Sequence, residues 1–358
     1  MHKPILNAWK VSPYSAKTRA HLRFLGVDFQ ERVPSMPRLA GPIRKAVGQA
    51  IMPTIQLPNG GWLQDSSAIY DHFEASSSFK TLPTQPRHRL AAFILEVQAD
   101  EWLCLAALHY RWSRPENVDF ALTEFARDGF PVLPRRLGKF AAKKVADRMR
   151  GYLPMLGVTP ATTSALETHT LAVLSALNTH LASRPFIFGT RASLADFSLY
   201  GPLYAHLFRD PATTSLFDPF PNVATWIARL GAPPKDTGSF EDDWPDTLDT
   251  LIDLCGDQWA YLETLMTAVE DYVDSHLEAS RVPRALGMTT FQMGSATAER
   301  KLITFAQWKA QRAMNSCDPN DTELIEWLDA RQLATVYRPL RHRLERPDFK
   351  MILKRGAS

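Results

Sequence analysis

The stretch that decides the fold is IMPTIQLPNGGWLQDSSAIYDHFEAS, residues 51–76. Residues 53–57 (PTIQL) read as a strand, and Asn59-Gly60-Gly61 as a tight hairpin turn that returns the chain into Trp62-Leu63-Gln64. A helix then opens at Asp65-Ser66 and runs to about Ser76.

Working back from this stretch, residues 4–9 (PILNAW) read as a first strand, and 15–25 as a helix with Gly26 just past its end. A second strand over 28–33 (DFQERV) and a helical stretch near 38–48 follow. The order β-α-β-α-β-β-α is complete within about 80 residues and predicts a compact α/β unit with a mixed sheet.

Working forward, 77–87 (SSFKTLPTQPR) is polar and proline-bearing, as a linker would be. Segments 88–112, 117–128, 134–151, 163–183, 194–208 and 221–230 then carry three- and four-residue apolar spacing, which predicts helices. A second break, GAPPKDTGSFEDDWP (231–245), precedes a last third with one long helix at about 246–277, an irregular strand-like stretch at 282–296, and helices at 298–316 and 321–332.

Composition narrows the function classes. The 358 residues are 45% hydrophobic and 22% charged, and 41 Lys+Arg against 38 Asp+Glu leave a formal charge of +3. So small a surplus in so long a chain does not argue for nucleic acid, no basic run with interleaved aromatics appears, and no nucleic-acid partner is expected. The longest basic cluster, from Arg135-Arg136 through Lys139 to Lys143-Lys144, is broken by apolar residues and reads as a solvated helix face. The three cysteines, Cys104, Cys255 and Cys317, show no CxxC spacing, which fits a reducing compartment. MHKPILNAW lacks the apolar core of a signal peptide, and no apolar run approaches 18 residues. A cytoplasmic protein without a membrane partner is the expectation. No pair among the ten histidines has zinc-ligand spacing, and no metal is expected.

Two short motifs invite a chemical reading. Ser12-Pro13-Tyr14-Ser15 sets two hydroxyls, a proline and a phenol at a strand-to-helix turn, where they either cap the helix or face a ligand. Ser193-Leu-Ala-Asp196 has capping-box spacing, and the structural role is expected there.

At three places this order resembles the glutathione transferase family. SPYSAKTR (12–19) looks like the Ser-Pro-Phe first turn of serine-type members. Met52-Pro53-Thr54 followed by Gln64-Asp65-Ser66-Ser67-Ala68-Ile69 matches the family's Val-Pro-x-Leu strand and the Glu/Asp-Ser helix start after it. Phe188-Gly189-x-x-Ala192-Ser193-Leu194-Ala195-Asp196 looks like its capping motif. The likeness spans about 230 residues and says little about the remainder, which looks like a long bacterial-type branch.

The resemblance implies an α/β plus all-α fold, with a thioredoxin-like domain over 1–80, an all-helical domain over 88–240, and a mainly helical extension over 241–358 packed on the helical domain. It implies that glutathione binds as co-substrate. A cis Pro53 would present the Met52 backbone to an extended peptide, as an added strand would. The helix start at Asp65-Ser66 would hold the γ-glutamyl carboxylate on Ser66 and the amino group on Asp65. Tyr110 and Trp112, on the helix DEWLCLAALHYRW (100–112), would bound a small apolar electrophile, while His109 is read as a satisfied interior group.

The implied activity is attack of the glutathione thiolate on that electrophile. A thiol with a pKa of about 8.5 needs a hydrogen-bond donor beside it to ionise at neutral pH. Ser12 is the expected donor, with Tyr14 and Ser15 as the neighbours that could take its place, Ser15 being expected to cap the helix. A thiol–disulfide oxidoreductase would normally need a cysteine at 12–15, and there is none. A non-catalytic binding or assembly protein of the same fold is the alternative, and a homodimer is the family expectation.

Overall fold

The computed structural model describes residues 3–232 and 238–356. Five residues of the second break, 233–237, lie outside the described residues, as do the first two residues of the MHKPILNAW start.

The first unit runs β1 (Ile5–Asn7), α1 (Pro13–Phe24), β2 (Gln30–Arg32), α2 (Met36–Arg38), a π-type turn (Leu39–Ile43), α3 (Arg44–Val47), β3 (Thr54–Gln56), β4 (Trp62–Gln64) and α4 (Ser66–Ser76). The sheet order is β2-β1-β3-β4, with β1 parallel to β2 and antiparallel to β3, and β3 antiparallel to β4. The turn at 59–61 works because Gly60 adopts φ 85°, which a side chain would resist. Leu6, Leu22, Ile55 and Ile69 are fully buried between the sheet and the helices α1 and α4. Each such side chain contributes roughly 1.5–3 kcal/mol.

The helical part comprises α5 (Pro86–Val97), a π-type turn (Gln98–Leu103), α6 (Cys104–Ser113), α7 (Pro115–Gly129), α8 (Arg135–Arg150), α9 (Thr163–His180), α10 (Leu194–Pro202), a second π-type turn (Leu203–Phe208) and α11 (Pro221–Gly231). Before α10, the Ser193 amide and hydroxyl both donate to Asp196 Oδ2, at 2.8 and 2.7 Å. Asp196 Oδ1 takes the Ile187 amide at 3.0 Å and the Trp226 indole at 2.9 Å. The carboxylate therefore caps one helix and fastens another.

The last third departs from the sequence expectation in two ways. The single helix over 246–277 is broken into a 3₁₀ turn (Asp246–Leu248), α12 (Asp249–Asp253) and α13 (Gly256–Ser275), with the interruption just before Gly256, a weak helix former. The strand-like stretch continues into a full antiparallel hairpin, β5 (Ala285–Met293) with β6 (Ala296–Ile303), so residues 298–303 of the helix expected over 298–316 are strand and the helix starts only at Phe305. Then come α13's neighbour α14 (Phe305–Met314), α15 (Thr322–Asp329), and a second hairpin of β7 (His342–Glu345) and β8 (Ile352–Arg355).

This last third shares its core with the helices before it. Trp259, Leu265, Phe291 and Trp327 belong to the same buried cluster as Leu95, Trp102 and Phe197. The Arg300 guanidinium lies over the rings of Tyr261 and Trp102, 4.3 and 5.0 Å from their centroids. Phe291 sits edge-on to Trp102, with centroids 5.7 Å apart. It can approach because Gly157, at φ 82°, has no Cβ; one built there would lie 2.3 Å from the Phe291 ring. Among the described residues, no helix is long and apolar enough to cross a membrane.

Candidate functional site

The end of β4 leads into Asp65, which adopts φ 83° and ψ 134°. Aspartate rarely occupies such backbone, and residues held there cluster at functional sites. Its side chain compensates by capping α4: Oδ1 accepts from the Ser67 amide at 2.9 Å and the Ala68 amide at 3.3 Å. Burial opposes its ionisation, but the Lys309 ammonium and the Arg346 guanidinium hold the carboxyl below its usual range.

Ser66, the first residue of α4, is 2% exposed, and its hydroxyl has no hydrogen-bond partner among the described residues. A buried hydroxyl left in that state costs about 1–3 kcal/mol unless something meets it. Nearby, the Met52–Pro53 bond is cis, and the Met52 backbone makes no hydrogen bond among the described residues.

Met52, Pro53, Asp65 and Ser66 all line one cavity of about 500 Å³. A second part of its wall comes from the last third of the chain: Arg281, Arg284, Phe305, Lys309, Arg346 and Lys350. Tyr14 and Glu101 close the remaining side.

Under the cavity lies a buried ionic network that joins all three parts of the chain. Lys17 from α1 pairs with Glu96 and Asp100, each at 2.8 Å. Lys309 from α14 pairs with Asp100 at 2.8 Å, donates to the Ser67 hydroxyl and stands 3.6 Å from Asp65. Arg312 pairs with Glu96 at 2.8 Å and with Asp71. Burial alone would discharge these groups. Instead Arg312, Lys17 and Lys309 hold the Glu96 carboxyl well below its usual range. Burial likewise disfavours the Lys309 charge, yet Asp100, Asp65 and Glu96 raise its pKa. At Glu101 burial outweighs the attraction of Lys309 and Arg300 and pushes the carboxyl up to about 7.

The first turn is arranged differently from its sequence reading. Helix α1 begins at Pro13, whose missing N–H suits the first helical position, and this makes Ser12 the cap. Ser12 Oγ accepts from the Ser15 amide at 3.3 Å. Ser15, expected to cap, is fully buried, and its hydroxyl has no partner among the described residues. Tyr14 faces the cavity, but its hydroxyl donates to the Asp100 carbonyl at 2.9 Å. Burial, reinforced by Cys104, Glu101 and Asp100, pushes its pKa well up. Ser12 and Ser15 do not line the cavity.

Tyr110 and Trp112 are not brought to it either. They are 3% and 4% exposed; Trp112 packs edge-on to Phe125 at 6.0 Å, and the Tyr110 carbonyl receives the Asn117 side chain at 3.0 Å. The π-type turn at Gln98–Leu103 places Glu101 against the cavity, while α6 beyond it enters the core. His109 meets Glu167 at 3.0 Å.

The sequence reading missed Lys17, Glu96, Asp100, Glu101, Lys309 and Arg346. Glu96, the one charged residue in the apolar run 90–97, with Asp100 four residues on, was a signal for buried cations. Among the described residues, no three His, Cys, Asp or Glu side chains are grouped to hold a metal ion.

Residues 6–80 match the family model of the glutathione S-transferase N-terminal domain, and residues 160–229 that of its C-terminal domain. The fold combines the thioredoxin-like N-terminal domain and the helical C-terminal domain that these two models describe. Among solved structures, a glutathione S-transferase from Methylobacterium radiotolerans, in complex with glutathione sulfonate, is 21% identical, over 68% of this chain and 99% of that one, with a TM-score of 0.39. The β-etherase LigF from a Sphingobium strain is 16% identical, over 65% and 96%, with a TM-score of 0.43. FzlA from C. crescentus is 18% identical, over 65% and 89%, with a TM-score of 0.40. No curated protein matches the sequence. The stretch from about 241 onward lies beyond both matched domains.

Proposed function

We propose that the protein binds glutathione in the cavity of about 500 Å³ and transfers its thiolate to an electrophile. The observation that carries this reading is the unpartnered Ser66 hydroxyl, buried at the start of α4 beside the cis Met52–Pro53 bond. Asp65 caps the Ser67 and Ala68 amides, and the Ser66 N–H, without a partner among the described residues, together with the α4 dipole favours an anion there, so the γ-glutamyl carboxylate is assigned to Ser66. Asp65 takes the amino group, and the Met52 backbone pairs with the cysteinyl peptide unit. In the reaction, sulfur gives its electron pair to the electrophilic carbon, and the leaving group departs with the pair of the broken bond.

Ser12 is proposed to stabilise the thiolate. Its oxygen already accepts from the helix, which leaves the hydroxyl hydrogen free to donate. Calorimetric titration with reduced glutathione tests the binding site. Ser66→Ala should weaken binding roughly 10- to 150-fold, the worth of one charge-assisted hydrogen bond. Equal affinity in the variant would refute the assignment.

A second reading, a binding or assembly protein without catalysis, is favoured by two observations: Tyr14 has its proton committed to Asp100, and Ser12 stands outside the cavity wall. We also propose the three-part division 1–80, 88–240 and 241–358, with the last part closing the site. A homodimer in the cytoplasm completes the proposal. Leu137 and Phe140, 57% and 65% exposed on α8, offer an apolar face for a second copy. The mass by light scattering reads that directly.

A further inference from the structure

We infer that the second ligand of this site is an organic acid, with an apolar skeleton and a carboxylate or other anionic end, rather than a neutral apolar electrophile. The inference rests on the glutathione reading and adds the class of co-substrate.

The argument begins with charge. Five cationic side chains (Arg281, Arg284, Lys309, Arg346 and Lys350) line the cavity, against two carboxyl groups, Asp65 and Glu101. Lys309 is neutralised by Asp100 and Asp65. The other four have no carboxylate within ion-pair distance among the described residues. Arg346 is half-buried; it donates to Gln64 Oε1 and stacks its guanidinium over Phe305 and Trp308, 5.6 and 5.4 Å from the ring centroids. A planar cation fixed in this way keeps donors in a set direction, the arrangement that suits a carboxylate.

Glutathione cannot satisfy all of these cations. One carboxylate goes to Ser66, the amino group meets Asp65, and the glycyl carboxylate can engage one or two of the four. The remaining positive charge faces the part of the cavity beyond the peptide. Glu101, pushed up to about 7 by burial, offers it only partial compensation near neutral pH. The same wall includes Val282, Ile303, Phe305 and Phe349. Apolar surface interleaved with cations that make no ion pair among the described residues complements a molecule with an apolar body and an acidic end.

The test uses two conjugates of equal shape, S-(4-carboxybenzyl)glutathione and its uncharged carboxamide, titrated by calorimetry at low and physiological salt. The acid should bind at least tenfold more tightly at low salt, with the margin shrinking as salt rises. In Arg284→Gln/Arg346→Gln the ratio should fall toward one, with carboxamide binding showing that the variant is folded. A ratio near one in the unaltered protein, with both conjugates weakened by Ser66→Ala, would overturn this inference and leave the glutathione site standing. A ratio that survives in the double variant would place the anion elsewhere and overturn it as well. If neither conjugate nor glutathione binds, both readings fall.

Discussion

The two walls of the cavity are built by different means. One wall comes from residues close in sequence: Met52, Pro53, Asp65 and Ser66 sit on a single strand–turn–helix segment, and their roles follow from what a helix start and a strand edge do unaided. The second wall comes from Arg281, Lys309 and Arg346, carried by loops and a helix that reach the site only through tertiary packing. It is linked to the first wall by the buried network through Lys309 and Arg312 and by the Arg346 hydrogen bond to Gln64. The first wall recognises a peptide's charged ends and backbone. The second supplies a surplus of positive charge and a cover.

The comparison breaks most visibly if the link between the walls is cut. Lys309→Met leaves Asp100 and Asp65 short of a counter-charge, and should cost about 3–5 kcal/mol of stability at neutral pH, read by denaturant unfolding. The sign with pH is defined. Lys309 holds the folded Asp65 pKa below its ordinary 3.8, so the stabilisation is present above that value and lost as pH falls through the folded pKa. The deficit of the variant should therefore narrow below about pH 4. A constant deficit from pH 7 to pH 3 would show that lost packing, not charge, is responsible.

A smaller effect is expected at the first turn. Ser12→Ala should raise the pKa of the bound thiol by about one to two units, followed by thiolate absorbance, and lower kcat at neutral pH with recovery at alkaline pH. An unchanged pKa would remove Ser12 from the chemistry and favour the non-catalytic reading. The smallest effect belongs to Tyr110. It packs in the core away from the cavity, so Tyr110→Phe should leave both Michaelis constants within about twofold, the scale of ordinary conservative changes. A tenfold rise in the co-substrate KM would return this residue to the site.

How much was legible in the sequence follows the same division. The Asp65-Ser66 helix start, the turn at Asn59-Gly60-Gly61 and the Ser193–Asp196 cap were readable because each depends on residues within four positions of one another. The helix assignments around them followed from apolar spacing. Tyr110 and Trp112 are assigned to the site by the family resemblance alone; their helical spacing marks a buried face, and the structure buries both away from this cavity. Ser15 was given the cap because Pro13 was taken as part of the turn, whereas proline at the first helical position moves the cap to Ser12. Lys309 and Arg346 were invisible for a simpler reason. A lysine or arginine on a predicted helix or loop is ordinarily solvated, and only a partner 209 residues away makes Lys309 an interior cation.

The central claim is that one glutathione molecule engages both walls, and amide hydrogen exchange with and without glutathione tests it most directly. The account predicts slowed exchange in two segments at once, 51–66 and 303–309, with 346–351 following the latter. Protection confined to 51–66, or absent from both walls, would contradict it.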